Sequence, residues 1–352
     1  HAKAMQPADP EAVLGDFDNK TINFHSVDSR FFKKGKQYWV ETLGADSKRH
    51  EYRIGYTFGY YPLQQYLIET DGGHLQAFDI AWDSRPAEQG GQRWFHLQPA
   101  EEITPAHPFF WANNFQNWNS RCADCHSTHI EKNYDAKTNR YATTWSELNV
   151  ACEACHGPGS AHVTLARSGE LTSTSTGFVP DLGDHSRFAF QSNGSIAVNQ
   201  GAPSPQQVGL CGHCHSRRSI IGEIEPGKNY HDQFRLSLLN RGLYFADGQA
   251  EDEVFVMGSF LQSKMHAAGV TCTNCHDPHT TKLKIQGNGL CLQCHKAAEY
   301  QSTSHLQHKA DSAGSQCVDC HMPERTYMQV DPRRDHSFSI PRPQLNQAIG
   351  AP

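Results

Sequence analysis

Nowhere in the 352 residues does an apolar run approach the roughly 20 residues that cross a bilayer as a helix, so no transmembrane segment is expected. The chain does not open on the basic, apolar and small-residue series of a secretory leader. Charge is sparse: 19% of residues are charged and the formal net charge is −6, which argues against a nucleic-acid partner. Apolar residues make up 37%, set against 28 Gly and 18 Pro, a lean supply for a protein-only core. This composition suits a loop-rich scaffold. Residues 1–110 contain no cysteine, and beyond them none of the twelve is left over.

All twelve belong to Cys-x-x-Cys pairs, and a histidine follows every pair at once. The six motifs are Cys122, Cys125 and His126; Cys152, Cys155 and His156; Cys211, Cys214 and His215; Cys272, Cys275 and His276; Cys291, Cys294 and His295; Cys317, Cys320 and His321. Residues three and four apart share a face of one helical turn, so two thiols and an imidazole can meet one flat ligand. Cys-x-x-Cys-His is the attachment signature of c-type haem, in which the thiols bond to the porphyrin and the histidine becomes the proximal iron ligand. Three Cys₄ zinc sites would use the thiols and give no role to the histidines. A disulfide framework fails in the same way. Six covalently bound haem c groups are the expected cofactors, and they would supply much of the core.

Residues 1–110 read as a small antiparallel β-rich region. Stretches 36–42, 51–61, 65–70, 74–82 and 92–97 are rich in Tyr, Trp, Phe, Val and Ile, and Gly44-Ala45-Asp46, Asp71-Gly72-Gly73 and Gly90-Gly91 separate them. Residues 111–352 form the expected hexahaem region, mostly irregular with short helices, near 257–268 and after Cys291 among other places. The first cysteines of successive motifs are 30, 59, 61, 19 and 26 residues apart, so no fixed repeat exists, and the two short gaps hold the last three motifs in one neighbourhood. Segment 157–208, rich in Gly, Ser, Thr and Pro, reads as a long surface excursion. The acidic stretch 247–253 reads as a solvated loop rather than a calcium site.

Setting aside the six motif histidines leaves 16 of the 22. A six-coordinate electron-transfer haem needs a second axial ligand, and only neutral imidazole can bind iron. Methionine is scarce, with five in the chain and no supporting pattern. The distal candidates are His1, His129, His162, His266, His279, His305, His308 and His336. His129 and His279 each lie three residues beyond a proximal histidine, too near their own haem to reach its far side but able to reach a second haem packed alongside. His25, His50, His74, His96, His107, His185, His213 and His231 are read as surface or hydrogen-bonded imidazoles.

Several stretches carry a resemblance: Cys122-Ala-Asp-Cys-His-Ser-Thr, Cys152-Glu-Ala-Cys-His-Gly-Pro-Gly-Ser-Ala-His162, Met265-His266-Ala-Ala-Gly-Val-Thr-Cys272 and Asp335-His-Ser-Phe-Ser-Ile-Pro-Arg-Pro343. Together they resemble bacterial multihaem c-type cytochromes, in the subgroup often fused to tetratricopeptide repeats and related to the cytochrome c554-like group. The resemblance implies that His1-Ala-Lys-Ala-Met5 follows an additional haem motif, with His1 an axial ligand. The Cys-x-x-Cys-His-x-x-His form ending at His129 is similar to extracellular cytochrome filaments, in which a neighbouring subunit supplies some axial histidines.

The expected function is electron transfer through six mostly bis-His haems, without enzymatic activity. The chain is expected to be exported with its leader removed, hence periplasmic or extracellular, because c-type haem is attached outside the cytoplasm. Redox partner proteins, extracellular electron acceptors or further copies joined into a filament are the expected partners. The competing class is a multihaem reductase or oxidase of a small nitrogen or sulfur compound, which needs one iron with an open side. Every motif ends in His and spare histidines abound, which favours the relay.

Overall fold

A computed structural model describes residues 1–180, 182–309 and 312–352. The chain divides into two compact units, one of His1–Ala154 with Thr326–Asp331, the other of Cys155–Arg325 with Pro332–Pro352.

The first unit is built on one antiparallel sheet. Its strands are β1 (Met5–Pro7), β2 (Lys20–Phe24), β3 (Val27–Lys34), β4 (Gln37–Leu43), β5 (Arg49–Phe58), β6 (Leu63–Glu69), β7 (Leu75–Ala77), β8 (Ile80–Asp83) and β9 (Arg93–His96). They run β2-β3-β4-β5-β6-β8-β9, with β1 on β5 and β7 on β6. β4 shows the period of two that a half-buried strand requires: Tyr38, Val40 and Thr42 are buried while Trp39 and Glu41 are only partly so. Gly35, at φ +59°, closes β3 onto β4 as the first central residue of a two-residue turn. β2 and β3 escape a reading by composition because their hairpin turns on His25-Ser26, both at positive φ (47° and 66°), where Asn-Gly is the usual signal.

Leu63–Ile68 is buried throughout, because both sheet faces are covered at β6. Tyr66 and Ile68 point into an aromatic core where Phe31 stacks on Trp94 with ring centres 3.7 Å apart and Phe17 meets Phe31, Tyr38, Tyr66 and Trp94 edge-on. Leu67 points the other way, onto Met5, Phe58, Leu75, Ala77, Trp118 and Ala123. This second face carries the first motif, since Cys122 packs against the same cluster. The unit therefore runs past the compositional break near residue 110.

The second unit is assembled from strands of at most four residues and short helices, of which Ser160–Ser168 is the longest at nine residues. Among the described residues its buried apolar side chains are Ala197, Tyr230, Phe234, Tyr244, Val254, Met257 and Phe260. Ile221, Leu238, Leu239 and Ile340 are more than half exposed. So thin a core does not offset the entropy of ordering such a length of chain. The motifs in this unit fit a group that brings its own apolar surface. Among the described residues no helix is long and apolar enough to cross a membrane.

Candidate haem-binding site

None of the twelve cysteines is in a disulfide, and among the described residues no three His, Cys, Asp or Glu side chains converge as a metal-ion cluster. The thiols thus stay as motif pairs on single turns, as attachment to a porphyrin requires.

In the first motif, Asn117 caps the turn Trp118–Arg121 by accepting the Ser120 N–H at 3.0 Å, and Ala123–His126 follows. His126 Nδ1 lies 3.1 Å from the Ala4 carbonyl and Phe58 meets the ring edge-on. Burial pushes the Cys122 thiol up to about 12 and holds His126 below its ordinary range. The Ala4 N–H donates to the His1 carbonyl, so the N-terminal turn ends at the residue that holds His126. His129, at φ +49°, turns its ring to the Glu153 carboxylate, 3.6 Å away.

The second motif occupies the turn Cys152–His156. His156 and His279 face each other with ring centres 6.1 Å apart and planes 7° off parallel. His279 is aimed by Asp277, whose carboxylate accepts the His279 N–H at 3.0 Å and the Thr280 hydroxyl at 2.8 Å. His162 stacks on Phe178 at 4.2 Å and its Nδ1 lies 2.7 Å from the Thr176 carbonyl.

The third and fourth motifs adjoin. Gln207 Oε1 accepts the Thr273 N–H at 2.9 Å, and the thiols of Cys211 and Cys272 hydrogen-bond to each other. That bond raises Cys211 and lowers Cys272. Thr271 and Asn274 form a reciprocal capping box on the turn Cys272–Cys275. His276 faces His336 at 6.3 Å and 25°, and His336 Nδ1 lies 2.9 Å from the Arg334 carbonyl. His215, whose carbonyl accepts the Met257 N–H at 3.0 Å, is lowered by burial and then by the charges of Arg333, His276 and His336. The His266 backbone N–H donates to the Ser263 hydroxyl at 3.0 Å, and its ring meets Phe260 edge-on.

Asn288 ties the fifth motif to the sixth: its Nδ2 donates to the Ser315 carbonyl at 2.9 Å and its Oδ1 accepts the Cys317 N–H at 2.8 Å. The Cys291 and Cys317 thiols hydrogen-bond, which raises Cys291 and lowers Cys317 to about 7. Tyr300 meets His295 edge-on. In the sixth motif His321 faces His305 at 6.0 Å and 16°, and its Nδ1 lies 2.9 Å from the Ser339 carbonyl. His308 sits over Gly314 instead, 3.1 Å from where a Cβ would stand.

Three motif histidines thus face an imidazole from another segment, at 6.0 to 6.3 Å and within 25° of parallel. Two imidazoles that bind one metal from opposite sides stand about 6.2 Å apart, from two metal–nitrogen bonds of about 2 Å and about 1.1 Å from each nitrogen to its ring centre. The direct stack of His162 on Phe178 is far closer, at 4.2 Å. A carbonyl only accepts, so the contacted Nδ1 atoms of His126, His162, His321 and His336 carry the proton and Nε2 keeps its lone pair for a metal. Burial lowers His126, His156, His215, His276, His295 and His336, which favours the neutral ligating form. His213, read as a background histidine, packs between Tyr230 and Phe234.

Three contributors were not visible in the sequence reading: Asp184, Asn288 and the Ile196 bridge to His295. Asn288 stands just before its motif, but nothing local marks its bond to Cys317. The other two meet their partners from about a hundred residues or nearly so along the chain.

Two families match parts of the chain: the doubled CXXCH motif over residues 265–300, and cytochrome c554 and c-prime over residues 94–157. No curated protein matches it. Among solved structures, the undecaheme cytochrome from the S-layer of Carboxydothermus ferrireducens is similar over 82% of this chain, at 19% identity and a TM-score of 0.36. The chain spans 45% of that protein's length. Six attachment motifs, two of them within a doubled-motif match and the first two within a cytochrome match, lead to one conclusion: the chain is a multihaem c-type cytochrome.

Proposed function

We propose that the chain is an electron conduit holding six haem c groups, one per motif, with both axial positions of most irons taken by histidine. Bound haem supplies an iron that gains and loses one electron at a time. The observation that carries the reading is the set of three near-parallel pairs, His156 with His279, His276 with His336 and His321 with His305. Each joins a motif histidine to one of the distal candidates. An iron held on both sides has no position for a substrate, so the pairs support transfer rather than catalysis. Axial ligands for the motifs of His126, His215 and His295 are drawn in this reading from His1, His129, His162, His266 and His308.

The role of the protein is then to keep the imidazoles neutral, oriented and close. Backbone carbonyls on Nδ1 fix ring orientation and raise ligand basicity. The close approach of Cys211 to Cys272 and of Cys291 to Cys317 sets successive attachment points side by side. The conduit is proposed to work in the periplasm or outside the cell, passing electrons to redox partner proteins or extracellular acceptors. Its polymeric form is a filament in which His1 or His129 serves a neighbouring copy, an open head-to-tail contact.

Intact-mass analysis of the purified protein, with its resting visible and EPR spectra, tests the reading. Six haems per chain and low-spin iron are expected. A high-spin iron that binds a small nitrogen compound would replace the conduit by the multihaem reductase. Electron microscopy of the same sample separates filaments from single particles.

A further inference from the structure

Segment 157–208 holds no attachment motif, yet two of its stretches grip the fourth and fifth motifs. Asp184 Oδ2 accepts the Thr271 hydroxyl at 2.7 Å and Asn274 Nδ2 at 2.8 Å, while its Oδ1 accepts the Ser186 N–H at 3.0 Å. Thr271 and Asn274 are the two halves of the capping box that starts the turn Cys272–Cys275, and Asn274 lies between its cysteines. A carboxylate from far up the chain therefore closes the box from outside. Further along, the Ala197 N–H donates to the Cys294 carbonyl at 2.7 Å and the Lys296 N–H to the Ser195 carbonyl at 2.9 Å, a bridge that pairs Ile196 with His295.

All three donors to Asp184 are neutral groups, so none of these bonds cancels its charge. Burial pushes its carboxyl up, but bonds from Ser186, Thr271 and Asn274 outweigh that and hold it below its ordinary range. A unit negative charge is thus kept against the attachment turn. An anion beside a redox iron favours the more positive, oxidised state.

We propose that Asp184 is a positioning residue for the fourth motif, locking its attachment turn and holding the haem bound there at a lower potential than the same turn would without the carboxylate. This rests on the reading that Cys272, Cys275 and His276 bind haem. Neighbouring Ser195–Ala197 fastens the fifth motif to the same strap.

The experiment uses the full haem-loaded chain with Asp184→Asn and Asp184→Glu. Asparagine keeps the size and an acceptor oxygen and removes the charge, and glutamate keeps the charge. Redox titration followed in the visible and by EPR resolves the transitions, and peptide mass mapping reports haem on Cys272 and Cys275. D184N should raise the reduced-to-oxidised ratio of one haem about tenfold at fixed potential, ~59 mV for a one-electron couple, with the others unmoved. D184E should return that transition to its wild-type place. A D184N titration that superimposes on the wild type overturns the proposal, and so does a shift that D184E fails to reverse. Should D184N fail to mature, D184E decides alone: a wild-type titration supports the proposal, and loss of the haem overturns it. Absence of haem from the wild-type Cys272 and Cys275 peptide would instead refute the underlying attachment.

Discussion

The rings of His305 and His321 stand 6.0 Å apart with planes 16° from parallel, and the Ser339 carbonyl holds His321 by its Nδ1 at 2.9 Å. His305 comes from the turn Thr303–Leu306, whose cap is Ser302. That spacing suits two ligands of one metal better than a ring stack. Replacing His305 with Ala should convert one haem of the chain to high spin and leave the others low-spin. EPR and the visible charge-transfer region read this directly, and an unchanged spectrum would remove His305 as a ligand.

His279 makes a sharper case, because it follows the fourth motif yet faces the histidine of the second. His279→Ala should produce high-spin iron at the second motif, with the fourth unaffected. In a chain already carrying Cys152→Ala and Cys155→Ala, the same substitution should add no high-spin signal. If it does add one, His279 serves another iron.

Asn288 holds two partly buried backbone groups at once. Asn288→Ala leaves the Ser315 carbonyl and the Cys317 N–H without that partner, a loss of about 1–3 kcal/mol. Denaturant unfolding of the haem-loaded chain should show it as a lowered midpoint. Asn288→Asp, which keeps the acceptor for Cys317, should cost less than the alanine.

The aromatic core predicts a larger effect. Phe31 is fully buried and stacked on Trp94 at 3.7 Å. Phe31→Ala should lose about 3–5 kcal/mol through transfer and cavity terms together. Unfolding followed by tryptophan fluorescence would report it, and a change below ~1 kcal/mol would mean that the core closes over the gap.

Asp184 gives stability a pH dependence whose sign follows from linkage. Its carboxyl is held below the ordinary value in the fold, so the folded state prefers the ionised form. The contribution is present above the unfolded value of about 4 and is lost as pH falls through the lower folded value. The stability difference between wild type and Asp184→Asn should therefore be constant near neutrality and shrink below about pH 4. A difference that persists undiminished into acid would show that the carboxylate charge is not what stabilises.

The sheet was legible where strands alternate and glycine-rich turns separate them, as between Asp71 and Gly73. It was illegible at β2 and β3, where a polar strand and a charged one turn on His25-Ser26. The stretch 74–82, read as one strand, divides into β7 and β8, with β7 on β6 through Leu67 and Ala77 and β8 on β6 through Leu63 and Asp83.

The attachment chemistry was determined by sequence alone, because two thiols and an imidazole on one turn interact through spacing that no tertiary contact alters. Which imidazole stands opposite which was decided only by the tertiary structure. His156 and His279 are 123 positions apart, and His276 and His336 are 60 apart. No periodicity reaches across such separations. Their meeting depends on Asp277 turning one loop and on the Arg334 carbonyl orienting one ring, each a contact that exists only once the chain has folded.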